Sequence, residues 1–439
     1  MTFYLRNVLV LSLMSASSLQ CAAPAATYTV VAYLSAQNQA PIGIVEGAPG
    51  LFYTLAGNVS SVTSKGVVTT LATFPDPPYI QQSAPGATAS NGLLYSSVEQ
   101  VINSGSGNAF SVATTAASEH TYSTQSIAPT IVGNLPGGEL FGTAYNFSVE
   151  GNGLATISLN GSVTTIYQFP STERLTLKPI YGSDGNYYGT SEPSSGGTAY
   201  LYQVTPAGVF SKVATLPFGI TGFLGGGTVL QGTDGSFYGI QSTSPGCSSS
   251  NQHGGVYKLT PSGQYTLLHD FGVCTPGVVN SLIQGSDGKL YGSTQASVLF
   301  SLTTSGEYQV LFHTTNGNAQ GVCQCTLVQA SNGIIYGTAL GGGPGGYGLI
   351  FALDAGLPAP IPQALQFSPQ SGSAGTKVRI WGYHLLQASV TFNGVPSTGV
   401  SSSGPNYVWA TVPTGASTGP ITVTTPGGVS TTTGSFAVE

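Results

Sequence analysis

Charge is what this chain has least of. Nine Lys and Arg and fifteen Asp and Glu residues leave 5% of its 439 positions charged, with a formal net charge of −6. No basic run exists to neutralise phosphates, which excludes nucleic acid as a partner. The same scarcity leaves no convergent acid, base and nucleophile, so the expectation is no catalytic residue, no cofactor and no metal. Long apolar runs are missing too: Val8 to Met14 falls far below the ~20 residues of a membrane span. With Arg6 before it and Ala23-Pro24-Ala25 after it, that run predicts a secretory signal peptide over residues 1–25. The mature chain is then secreted or at the cell surface, without a membrane span.

Cysteine is sparse as well. Cleavage removes Cys21 and leaves Cys247, Cys274, Cys323 and Cys325, an even number in an oxidising compartment. Their spacing does not form two Cys-x-x-Cys knuckles, which argues against zinc.

What the chain does have is a repeat. Asp-Gly or Asn-Gly followed by an aromatic residue recurs in GSDGNYYGT (Gly182 to Thr190), GTDGSFYG (Gly232 to Gly239), GSDGKLYGS (Gly285 to Ser293) and ASNGIIYGT (Ala330 to Thr338). Weaker copies precede these, and the aromatic anchors are Tyr53, Tyr95, Phe141, Tyr188, Tyr238, Tyr291 and Tyr336. Their separations of 42, 46, 47, 50, 53 and 45 residues, with four short strand signals per unit, predict β-propeller blades. In the best copy, SLIQGSDG, KLYGSTQA, SVLFSLTTSG and EYQVLFHT read as strands A to D, and Asp-Gly suits the tight A–B turn. Asp184, Asp234 and Asp287 lie one unit apart and are read as turn formers rather than as ligands of a shared calcium ion.

The seventh unit stops after its third strand, GLIFALD, while an orphan strand, TYTVVAYLS (Thr27 to Ser35), opens the mature chain. The expected fold is therefore all-β: a seven-bladed propeller over residues 26–356, closed by the N-terminal strand. A Pro-rich linker over 357–363 then leads to an immunoglobulin-like sandwich over 364–439. On this layout Cys247 and Cys274 reach one face of the fifth blade and are expected to form a disulfide. Cys323 and Cys325 either bridge each other or exchange with that pair.

The tail resembles the IPT/TIG family through SPQSGSAGTKVRIWG, VTFNGVPS, ATVPTGASTGPITVTTPGG and the terminal SFAV, covering Ala364 to Val438. That resemblance implies an immunoglobulin-like sandwich. The repeats resemble the bacterial tandem-repeat family called GloVer-containing over roughly Thr27 to Asp354, best at IQGSDGKLYGST (Ile283 to Thr294).

Two catalytic motifs occur without their context. GASTG (Gly415 to Gly419) precedes a strand and not a helix, and Gly341, Gly343 and Gly346 are followed by the alternating GLIFALD. The leading reading is a secreted, non-enzymatic binding or adhesion protein for an extracellular glycan or protein. Loops Gln241 to Gly254 and Leu340 to Gly348 would form the recognition face, with His253 and Tyr347 as candidate contacts. The runner-up is a lyase or hydrolase acting at the central channel, because the repeat also looks like that of streptogramin lyases. Strand alternation in KVRIWG and YVWATV puts Trp381 and Trp409 on one outward face of the sandwich, as an exposed aromatic patch for docking or for a ligand.

Overall fold

The structure, a computed structural model, describes residues 26–439 apart from 37–40, 42, 56–57, 74–79, 83–86, 101–106, 113–118, 125–126, 147–150, 176–177, 218–228, 243–252, 274–278, 295–296, 314–325 and 403. The described residues form antiparallel sheets and no α-helix, the architecture of a β-propeller. The expected signal peptide over residues 1–25 and all five cysteines, including Cys247 and Cys274 of the expected disulfide, lie outside the described residues.

Seven sheets follow the repeat, spanning residues 43–73, 80–124, 127–168, 173–215, 229–273, 279–313 and 327–354; we number them 1 to 7. Sheet 6 has the simplest order, with Val279–Gln284, Leu290–Thr294, Val298–Leu302 and Tyr308–His313 paired in sequence as strands A to D. Sheet 7 takes its fourth strand from the start of the chain: Thr27–Tyr33 pairs antiparallel with Leu349–Asp354, from Thr27 opposite Asp354 to Tyr33 opposite Leu349.

Apolar side chains alternate along these strands and fill the gaps between neighbouring sheets. Tyr238, Ile240 and Val256 of sheet 5 meet Leu282, Leu290 and Phe300 of sheet 6. Ala32, Leu34 and Ile350 of sheet 7 meet Ile44, Phe52 and Val62 of sheet 1, so the last sheet is packed against the first. Each fully buried aromatic or aliphatic side chain in such a gap contributes about 1.5–3 kcal/mol.

The repeated motif has a physical reason at each position. In the A–B turn of sheet 5, the Gly235 N–H donates to Gly232 O (2.9 Å) and the Gly232 N–H to Ser236 O (2.8 Å). Gly235 has φ of 77°, where a side chain would be strained. Asp234 Oδ1 accepts from the Ser236 N–H (3.0 Å) and Oδ2 from the Tyr238 hydroxyl (2.8 Å), so the acid holds both the turn and the aromatic anchor. Sheets 4 and 6 repeat this through Asp184 with Tyr188 (2.7 Å) and Asp287 with Tyr291 (3.0 Å). Where Asn replaces Asp the polarity reverses: the Asn332 amide donates to the Tyr336 oxygen (3.2 Å). The glycine after the anchor faces an aromatic residue of strand C, as in Gly239 opposite Tyr257 and Gly292 opposite Phe300. A methyl group there would overlap that ring.

Residues 363–438 form two further sheets. One orders Gln363–Ser368, Lys377–Tyr383, Tyr407–Thr411 and Val400–Ser402; the other contains Ser389–Phe392, Gly419–Thr425 and Gly428–Val438. Val378, Ile380, Phe392, Val408, Ile421 and Phe436 share a core between them.

Candidate functional site

Two sets of contacts define how the inner ends of the sheets are used. The first ties sheets 4, 5, 6 and 7 each to the next around the ring. The Ser183 N–H donates to Gln231 Oε1 (2.8 Å), the Thr233 N–H to Gln284 Oε1 (2.9 Å) and the Ser286 N–H to Gln329 Oε1 (2.8 Å). The same bond joins sheet 7 to sheet 1, with a carboxylate in place of the amide: the Ser331 N–H donates to Glu46 Oε2 (2.7 Å) and the Ser331 hydroxyl to Oε1 (2.9 Å). At the corresponding turn of sheet 3 stands Pro136, which has no N–H to give, and sheet 4 carries Tyr181 at the position of the acceptor.

The second set fixes the C-terminal sheets to these turns. On the strands Lys377–Tyr383 and Tyr407–Thr411, Arg379 lies opposite Trp409 and Trp381 opposite Tyr407. With Val378, Ile380, Val408 and Ala410 turned into the C-terminal core, those four side chains project from the other face. The Tyr407 hydroxyl donates to Leu135 O (2.7 Å), Arg379 Nη2 to Gly137 O (2.8 Å) and Trp409 Nε1 to Ser90 O (3.3 Å). The Trp381 ring meets Tyr181 edge-on, with centroids 5.9 Å apart. The connector joins in, since the Ser286 hydroxyl donates to Pro358 O (2.7 Å). Sheets 2, 3, 4 and 6 are thus all touched at their A–B end.

The outward face carries the aromatic patch expected for docking or for a ligand, but as a docking surface and not an open one. Trp381 is 2% exposed and Tyr407 fully buried, because the outward face of the C-terminal sheet is covered by the A–B turns. His253 is also placed differently: it is paired with Val273 as the first residue of a strand, not within the long loop. A register shift between His253 and Gly255 marks a bulge at the start of that strand. Of the Gln241 to Gly254 loop, residues 243–252 lie outside the described residues. Tyr347 is half-buried in the described loop Leu340 to Gly348, where the Gly348 N–H donates to Gly342 O (3.1 Å) and the Leu34 N–H to Gly348 O (3.0 Å).

The acids of the motif are committed to structure. Burial opposes ionisation of Asp234, but hydrogen bonds from Lys258, Tyr238 and the Ser236 N–H outweigh it and hold the carboxyl down at about 2. An acid so far below neutrality is a poor proton acceptor. Among the described residues no three His, Cys, Asp or Glu side chains converge as a metal site. No described helix is long and apolar enough to cross a membrane.

The C-terminal sheets do not close flush on sheets 1 and 7. A cleft of about 230 Å³ remains there, with Val45, Glu46, Val328 and Ser331 on one side and Tyr383, His384 and Leu386 on the other. Sequence reasoning did not find it, since its walls come from segments far apart in the chain.

Among solved structures, the chain is similar to the extracellular domain of a hybrid two-component system from B. thetaiotaomicron, at 14% identity and a TM-score of 0.50 over 81% of this chain and 45% of that one. The extracellular domain of a one-component system from B. thetaiotaomicron gives 15% identity and a TM-score of 0.50 over 92% and 52%. The WD40 propeller domain of Doa1 gives 11% and 0.48 over 75% and 97%. The likeness to these structures is one of fold. The chain spans about half the length of the two extracellular domains it matches. No sequence family and no curated protein matches it.

Proposed function

We propose that this is a secreted, non-enzymatic binding protein: a seven-bladed propeller closed by its N-terminal strand, carrying an IPT/TIG-type immunoglobulin-like sandwich on one face. GloVer-type repeats would build the ring, residues 26–356, and the sandwich would begin at residue 364 after a Pro-rich linker. The pairing of Thr27–Tyr33 with Leu349–Asp354 supports the closure, and the common core of the two C-terminal sheets supports the sandwich.

One observation carries the functional reading: the C-terminal sheets occupy the A–B turn face through Tyr407, Trp409, Arg379 and Trp381. The B–C loops and D–A crossovers emerge at the other face, which is left for a partner, an extracellular glycan or protein. Tyr347 belongs to that face.

A lyase or hydrolase at the channel is the second reading, favoured by the grouping of scarce charges in sheet 4. There Arg174 Nη1 lies 3.8 Å from the buried Glu192, and the Ser191 hydroxyl donates to Glu173 (3.0 Å). A glycan array probed with the purified protein, repeated with the Leu340–Gly348 loop replaced by a short Gly-Ser turn, separates these readings. Retained glycans that the loop variant loses support binding at that face. Retained glycans that are cleaved on the array favour the enzyme, and binding unchanged in the variant refutes the loop assignment.

A further inference from the structure

Glu46 occupies a position that does not need a charge. In three other sheets the acceptor for the neighbouring turn N–H is Gln231, Gln284 or Gln329, and a carboxamide oxygen makes that bond at 2.8–2.9 Å. Only at the junction of sheets 7 and 1, among these four ties, is the acceptor a carboxylate, and it is 4% exposed. Burying a carboxylate is costly unless a cation compensates it. Yet among the described residues no Lys or Arg lines the cleft beside it. Of the titratable groups there, Tyr383 is pushed up to about 12 by burial, with a contribution from Tyr181. His384 is exposed to solvent, and the packing around it holds its imidazole below its ordinary value. Neither is a cation at neutral pH.

The junction that departs from Gln is also the one that faces a cleft. Val45, Val328, Leu386 and Pro360 give the cleft apolar walls, and Tyr383 adds an aromatic one. Its ~230 Å³ falls below the roughly 300–1,000 Å³ of pockets for drug-sized ligands, so its occupant is small. Glu46 Oε1 already accepts from the Ser331 hydroxyl and the Gly50 N–H (3.3 Å), whereas among the described residues Oε2 accepts only the Ser331 N–H. A carboxylate offers about four acceptor sites, so Oε2 has room for one more donor.

We propose that this cleft binds a small organic ammonium ion, its alkyl body against the apolar walls and its charged nitrogen toward Glu46. The site is separate from the loop face and does not depend on the reading given above for that face.

The probe is n-butylammonium chloride, titrated calorimetrically into the full chain at constant ionic strength, with n-butanol as the uncharged control. Glu46→Gln restores the residue that makes the same tie in sheets 5, 6 and 7, so the fold is retained, as circular dichroism would verify. The expected result is saturable binding of butylammonium to the native chain, weakened roughly tenfold or more in Glu46→Gln, as loss of a charge-assisted hydrogen bond implies. Butanol should bind no better than the variant binds the ammonium. Absence of saturable binding, equal affinity in Glu46→Gln, or butanol binding as tightly as the ammonium would each overturn the proposal.

Discussion

The Tyr407 hydroxyl donates 2.7 Å to the backbone carbonyl of Leu135, a buried bond between residues 272 positions apart. It fastens the C-terminal sheets to sheet 3 at a point where neither group can find water instead. Tyr407→Phe removes this donor and leaves the carbonyl with the Gly138 N–H alone, at a cost of about 0.5–1.5 kcal/mol. Urea unfolding should show this as a lower midpoint with an unchanged slope; an unchanged midpoint would mean the two parts are not held there.

Both tryptophans of the chain contribute to this contact, so their fluorescence reports on it. In Trp409→Phe, the remaining Trp381 should emit at short wavelength and resist acrylamide quenching. Replacing both by Ala should loosen the two parts while the C-terminal core, which contains neither indole, stays folded. Ready quenching of Trp381 in the single variant would contradict the buried placement.

The glycine after each aromatic anchor makes room for a ring on strand C. Gly292→Ala would force its methyl into Phe300, and overpacking of this kind costs about 1–3 kcal/mol. Adding Phe300→Leu should recover part of that loss, giving a non-additive double-mutant cycle. Strict additivity would show that the ring is not what excludes the methyl.

Burial raises the carboxyl of Glu46 above its ordinary value, against the opposing bonds from Ser331 and Gly50. The folded chain therefore holds this proton over a pH range in which the unfolded chain has released it. Stability falls as pH rises from the unfolded value of about 4.3 through the raised folded one, then levels off. Glu46→Gln should remove this component and flatten the pH dependence of the melting temperature over that window, making the variant at least as stable as the native chain at neutral pH. A variant clearly less stable at pH 7 would mean that ionised Glu46 is compensated in the native fold.

Removing Thr27–Tyr33 should leave Leu349–Asp354 without its outer partner and uncover part of the contact with sheet 1. Several backbone bonds and the burial of Ala32 are lost together, so a marked drop in melting temperature is expected. Equal melting of the truncated and full chains would show that the strand is dispensable.

Much of this architecture was legible because the repeat is made of local rules. Asp-Gly at a turn, an aromatic two or three residues later and alternation along each strand all act within a few residues of one another. Alternation also assigned Trp381 and Trp409 to the outer face, but it carries no information about what lies against that face. Hence docking and ligand contact stayed open alternatives for that face. The signal for the ties between sheets was present in Gln231, Gln284 and Gln329, each two residues before the next turn donor, yet the partner of each lies in another repeat. His253 was placed in the loop Gln241 to Gly254, whose C-terminal end the structure takes into a strand starting at His253.

The placement of Thr27–Tyr33 also imposes an order of events on biogenesis. This segment is made before any of the other strands of its sheet, while its partner Leu349–Asp354 comes at the far end of the repeats. An edge-seeking strand with alternating Val30 and Ala32 must therefore wait unpaired while the intervening sheets form, and it is a candidate for premature capture by another strand edge or by a neighbouring chain. A factor that shields the emerging N-terminus would act on the yield of this protein without touching its final stability.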